Sequence, residues 1–230
     1  MLEARRHDIS RLEAFSDAAF AFALTLLVVS LEVPKSYDDL MRLVRGIPSF
    51  ACCFALLVWI WHEHNMFFRR YGLQDAMTVF INSVLLFVAL FYVYPLKFMF
   101  DSLFSRFVNA ATVVPMSLGQ LAKASAIYGS GFFVLMTMFA LLYAHAYRKR
   151  KELELTPLEV FDVKAFAGHH MVSACAGLLA VLVAVAAPLR FAPLSPMCFG
   201  LMGPAHWWFG AIMGERRRAL ERRLTALLGV

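Results

Sequence analysis

The chain has 230 residues, of which 61% are apolar and only 17% charged. Soluble domains carry about 45–50% apolar and about 25% charged residues, so this composition excludes an ordinary water-soluble domain and points to a membrane protein. The net charge of +6 is not a nucleic-acid signal, because the basic residues sit in short clusters between apolar segments, where the positive-inside rule accounts for them.

A spanning helix needs about 20 predominantly apolar residues. Six segments qualify, roughly 10–33, 47–68, 76–100, 122–147, 167–189 and 194–214, followed by a basic tail at 215–230. The expected fold is therefore an all-α polytopic membrane protein with six transmembrane helices, both termini cytoplasmic and no soluble domain. Orientation follows from Lys and Arg: fifteen fall on the side of the termini and seven on the other. The N-terminus lacks a short apolar core with a small-residue cleavage site, so no cleaved signal peptide is expected. The tail can form an amphipathic surface helix whose charges serve topology and attraction to anionic lipids.

The first segment carries the chemistry. Ser10 and Glu13 have capping-box spacing, which starts a helix at Ser10; Ser16-Asp17 is also a possible cap by itself. If the helix begins at Ser10, Glu13 and Asp17 stand four apart on one face, a repulsive pair that calls for a cation. Arg11 does not share that face, so the partner comes from another helix or subunit, or Arg11 reaches across an interface. Beyond Asp17, the residues Ala18, Phe22, Thr25, Val29 and Glu32 recur at spacings of four and three, an a/d-type seam able to face copies of itself. By periodicity alone an ordinary packing seam is the simpler reading. Glu32 favours an ion pathway, because a carboxylate ring at a pore mouth concentrates cations.

Further along, His62, Glu63 and His64 are too close in sequence to share a helix face, and no HExxH or Cys/His cluster completes a coordination set, so no metal is expected. Cys52, Cys53, Cys175 and Cys198 lie in apolar stretches without CxxC spacing and read as small hydrophobes. His145 and His169-His170 read as interfacial, and Trp207 and Trp208 as aromatic-belt anchors. The residues 101–121 form either a short interfacial helix or a plain loop. The last segment contains Pro196, Gly200, Gly203, Pro204 and Gly210, which fits close packing or a broken helix. There is no nucleophile elbow, phosphate loop or paired catalytic carboxylate, so an enzyme is not expected, and no cofactor.

Arg11, Phe15, Ser16 and Asp17, followed by Phe-Ala-x-Ala-x-Thr-Leu-Leu-Val, resemble the Arg-x-x-x-Phe-Ser-Asp signature of the transmembrane protein 175 family of potassium channels. Trp61, His64 and Phe68-Arg69 resemble the family's second-helix pattern, with Asn65 in place of its second histidine; Asp75, Asn82 and Pro95 fit the third. The resemblance implies a potassium-preferring cation channel in a prokaryotic plasma membrane. Its single six-helix chains would assemble as a homotetramer, with first helices forming a hydrophobic constriction. It implies Phe22, Thr25 and Val29 as pore lining and constriction, and a buried network of Arg11, Phe15, Ser16, Asp17, Trp61, His64 and Asn82 holding the pore helix. Glu32 stands at the pore mouth. The expected partners are K+, with H+ or other monovalent cations as further candidates, the lipid bilayer and other copies of the chain. Phe22 is bulkier than the family's usual aliphatic residue, so four rings either seal the axis or rotate aside. Ala18 and Ala19 replace a usual glycine and valine and stiffen the helix. Two alternatives from other classes remain: a proton-coupled transporter or proton-conducting channel using Asp17 and His64, and a membrane enzyme or cofactor carrier using the histidines as ligands.

Overall fold

The computed structural model describes residues 9–108 and 116–228. Among these the chain is helical and contains no strand. Helix α1 (Arg11–Val29) starts at Ser10, whose hydroxyl oxygen accepts from Glu13 N–H at 3.1 Å and whose proton goes to the Glu13 carboxylate at 2.8 Å. Ser16 and Asp17 are therefore interior residues, not caps. The helix ends at Val29, not at 33 as the sequence reading has it: Ser30 turns its hydroxyl onto Leu27 O, and Pro34 disfavours helical backbone before it. Glu32 thus follows the helix and does not ride on it.

A short helix, α2 (Tyr37–Arg45), occupies what composition alone read as a connection. Ser36 caps it, Asp38 and Asp39 sit in its first turn, and Arg42 and Arg45 in its last, each charge opposing the helix dipole end it faces. It joins α3 (Ile47–Tyr71) at Gly46 with a bend of 46°. Gly72 closes α3 in the left-handed region (φ 56°), donating to Phe68 O at 2.8 Å, a conformation that costs other residues a steric penalty. Three residues later Asp75 opens α4 (Ala76–Val108) by bonding the backbone N–H and hydroxyl of Thr78.

Helices α5 (Leu118–Arg148) and α6 (Pro157–Ala186) both begin earlier than the apolar runs at 122 and 167, because each carries a capping box, Ser117 with Gln120 and Thr156 with Glu159. The two pack with their backbones in close approach: a Cβ on Gly129 would stand 2.9 Å from Gly177 O, and one on Gly177 3.0 Å from Gly129 O. The segment at 194–214 is not one continuous helix. After α6 the chain runs through a 3-10 turn (Leu189–Phe191), a one-turn helix α7 (Leu194–Met197) and a second 3-10 turn (Cys198–Leu201). The prolines at 188, 193 and 196 cannot donate to a regular helical ladder there. Helix α8 (Met202–Leu228) then runs unbroken into the basic region, so the tail at 215–228 continues α8 and is no separate element. Arg217 fixes it to α6 through a two-pronged bond to Asp162, at 2.8 and 3.2 Å.

Four described helices are long and apolar enough to cross a membrane alone: α1, residues 76–104 of α4, α5 and α6; the bent pair α2–α3 makes a fifth. The core joins α1, α3, α4 and α5, with Val163 and Ala174 of α6. Of the connection at 101–121, residues 101–108 extend α4 and 109–115 lie outside the described residues.

Candidate functional site

Helix α1 has two unlike faces. Ser16, Phe20, Ala23 and Leu27, spaced four, three and four apart, are buried against the helices behind them. On the opposite side Ala18, Phe22, Thr25 and Val29 are exposed, Phe22 by 57% and Val29 by 70%. At 1.5 Å rise per residue, Phe22 and Thr25 stand about 4.5 Å apart along the axis and Thr25 and Val29 about 6 Å. The Thr25 hydroxyl donates to Ala21 O at 3.0 Å. Its proton is thereby committed to the helix, and the oxygen's lone pairs are what it offers outward.

The buried face is held by a polar chain that crosses three helices. Ser16 donates to Leu12 O at 2.8 Å, so its oxygen is free to accept from Asn82 Nδ2 of α4 at 2.9 Å. That fixes the Asn82 amide with its oxygen toward His64 of α3, 2.8 Å from Nε2, and hence places the imidazole proton on Nε2. Ser16, His64 and Asn82 are all buried, and His64 packs between Phe20 and Phe68 at 5.4 and 4.6 Å between ring centres. Asp17 takes a different partner, accepting from Trp61 Nε1 at 2.8 Å. Asp17 thus bonds α1 to α3, Ser16 bonds it to α4 through Asn82, and His64 joins α3 to α4 behind them, an arrangement that orients α1 about its axis. None of these bonds links Asp17 to His64 as a proton pair would.

Of the residues assigned to this network from sequence, Ser16, Asp17, Trp61, His64 and Asn82 come together within one chain. Arg11 and Phe15 do not. Phe15 is 65% exposed, and Arg11 is exposed and makes no ion pair with Asp17. Glu32 is exposed just beyond the end of α1.

Other polar contacts had weaker sequence signals. Asp75 Oδ2 lies 2.7 Å from His145 Nε2 and 3.9 Å from Lys149, tying the start of α4 to the end of α5. Burial would push its carboxyl up, but the bonds from Thr78 and His145 outweigh that and hold it below the ordinary aspartate value. The Asp-x-x-Thr spacing was its legible part. His206 of α8 sits 2.8 Å from the Ser173 hydroxyl and 4.0 Å, ring to ring, from His169. His170 stacks on Phe139 and Tyr143, with Glu63 3.6 Å from its Nε2. No three His, Cys, Asp or Glu among the described residues group to hold a metal.

Comparison with known proteins places this geometry. The sequence profile of the family described as endosomal/lysosomal potassium channel TMEM175 matches residues 11–92, the stretch that holds α1, the network and most of α4's buried face. A protein named potassium channel from Marivirga tractuosa is 35% identical over 222 residues, 92% of this chain and 90% of its own length. A potassium channel from Chamaesiphon minutus is 26% identical over 155 residues, 64% of this chain and 70% of its own. Among solved structures, a variant of the potassium channel MtTMEM175, bound to a nanobody–MBP fusion protein, superposes with a TM-score of 0.82 at 33% identity, covering 94% of this chain and 97% of that one. A Chamaesiphon minutus homologue of the lysosomal potassium-selective channel TMEM175 shares the fold at a TM-score of 0.56 and 23% identity, covering 88% of this chain and 96% of that one. The chain is a multi-pass integral membrane protein of the TMEM175 family, a family of ion channels and not of enzymes.

Proposed function

We propose that this chain is a potassium channel of a bacterial membrane, that four copies assemble around an axis, and that α1 of each lines the pore. Phe22, Thr25 and Val29 form its successive rings, with Glu32 at the outer mouth. The observation that carries this reading is the exposed face of α1. A helix of mean apolar character, anchored on one side by buried hydrogen bonds, leaves Phe22 and Val29 uncovered with a hydroxyl between them. Copies of the same face around an axis would cover those side chains and stack apolar, oxygen-bearing and apolar rings. In this reading Phe22 is the narrowest barrier, Thr25 offers oxygens to a partly dehydrated K+, and Glu32 raises the local cation concentration. The network of Ser16, Asp17, Trp61, His64 and Asn82 sets the rotation of α1 and so the residues that face the axis. Helix α8 serves as the sixth span after the broken turn at 189–201, leaving both termini on the cytoplasmic side with the larger share of Lys and Arg.

The test is K+ flux into liposomes holding the purified protein, with K+ and Na+ gradients compared. Wild type should conduct K+ in preference to Na+, and Phe22→Ala should raise the flux by widening the barrier. Thr25→Ala should reduce the preference for K+. No flux from either wild type or Phe22→Ala, in protein shown to be tetrameric, overturns the proposal.

A further inference from the structure

The two motif residues that stay outside the network fall on the pore seam. Arg11 precedes Ala18 by seven residues and Thr25 by fourteen; Phe15 precedes Phe22 by seven and Val29 by fourteen. Seven residues return a helix to within about 20° of the same face, and all six of these side chains are exposed. Among the described residues, the carboxylates nearest Arg11 in sequence lie off that seam, and hydrogen bonds hold them there. Glu13 accepts from Ser10 at 2.8 Å, and Asp17, about 100° around the helix from Ala18, accepts from Trp61 at 2.8 Å. The seam therefore carries a cation at its N-terminal end, about 16 Å along the axis from Phe22, and an anion, Glu32, beyond its other end.

We infer that Arg11 of each copy forms a cationic ring at the N-terminal mouth of the pore, opposite the anionic ring of Glu32, and that these two rings make the K+ current rectify. This rests on the reading of α1 as the pore helix. An anionic ring gathers K+ at its mouth and a cationic ring depletes it. Ions driven from the Glu32 side thus enter more often than ions driven from the Arg11 side by an equal and opposite voltage. The equilibrium distribution of K+ is untouched; the asymmetry appears only in the current–voltage curve. A potential of about one kT at a mouth changes local K+ about threefold. The effect is screened by salt, since the Debye length falls from about 30 Å at 0.01 M to about 3 Å at 1 M.

The experiment is single-channel recording in planar bilayers under symmetric KCl at about 0.01 M and about 1 M, the concentrations that span that screening range. The side bearing the N-terminus is assigned by protease access to an N-terminal tag. Wild type should pass about threefold more current from the Glu32 side in dilute KCl, approaching a linear curve in concentrated KCl. Arg11→Gln should bring the ratio towards one by raising current from the Arg11 side. Glu32→Gln should do so by lowering current from its own side, and Arg11→Lys should keep the wild-type ratio. A linear curve in dilute KCl with K+ current present, or an unchanged ratio in Arg11→Gln, overturns the inference while leaving the pore intact. Loss of the tetramer in both Arg11 variants makes Arg11 an assembly contact and also overturns it. Absence of K+ current in wild type overturns the pore reading itself.

Discussion

Helix α1 is held against α3 and α4 by a different kind of contact from the one that joins α5 to α6. The α5–α6 pair meets backbone to backbone, with Gly129 and Gly177 removing the side chains that would keep them apart. Such packing is rigid because it has no slack: its energy comes from many small dispersion contacts that only one spacing satisfies. Behind α1, by contrast, the contact is specified by three hydrogen-bonding side chains, Ser16, His64 and Asn82, and by the Asp17–Trp61 bond. Directional bonds fix rotation more than they fix distance. The difference divides the molecule into a close-packed brace and a helix whose angular setting is chosen, as the proposed pore-lining role of α1 requires.

Substitutions sharpen or break this contrast. The largest effect is expected in the brace. Gly129→Val would drive a side chain into Gly177 O and Val181, at a cost of about 3 kcal/mol, and should leave little folded protein by size-exclusion chromatography in detergent. Next comes Asn82→Leu, which leaves the buried His64 Nε2 proton without an acceptor and takes the donor from the Ser16 oxygen, for about 2 kcal/mol. It should lower the melting temperature and also change K+ flux, whereas a brace variant mild enough to fold, such as Val181→Ala, which trims the side chain beside Gly129, should lower stability with flux per folded channel unchanged. If Asn82→Leu conducts like wild type, the network does not set the rotation of α1. Arg217→Gln should be weaker, about 1 kcal/mol, because the guanidinium is partly exposed even though it leaves the Asp162 carboxylate unpaired. Its sign would be faster proteolysis of the end of α8 with the rest of the bundle protected. The smallest effect belongs to Asp75, outside the apolar spans. Its carboxyl is held lower in the folded chain than in the unfolded one, so its stabilisation is complete above the ordinary aspartate range near pH 4 and disappears as pH falls through the folded value. Asp75→Asn should remove that part of the acid sensitivity and leave the melting temperature above pH 6 slightly reduced.

Much of α1 was legible in the sequence because its signals were local. The Ser10–Glu13 spacing marked the cap that starts the helix, and a spacing of three and four picked out the face carrying Phe22, Thr25 and Val29. Asp17, Trp61, His64 and Asn82 were tied together by family resemblance, since no periodicity joins residues that lie as many as 66 positions from Ser16 to Asn82. Where hydropathy was the only guide, the boundaries slipped. The capping boxes before α5 and α6, and the Ser36–Asp39 cap with its opposed charges in α2, were written in the chain but sit in polar stretches that a search for spans passes over. The break at 189–201 depends on three prolines that cannot donate to a helical ladder, so that Leu189 O and Ala192 O are met instead by the N–H groups three residues on, and on Ser195 reaching Ala180 O at 2.8 Å, a contact set by tertiary packing. The assignment of Arg11 and Phe15 to the network came from their place in a motif, whereas their helical register puts them on the opposite side.

The uncovered face of α1 has a consequence for how the protein can exist at all. If the wall of the conduit is also the seam between copies, there is no well-formed subunit that merely lacks a pore. A lone chain would hold Phe15, Phe22 and Val29 against lipid or water with nothing to complement them, and apparent stability would depend on how many copies are near. Dilution in the bilayer would then silence the protein by dismantling its wall, so that abundance itself acts as a gate.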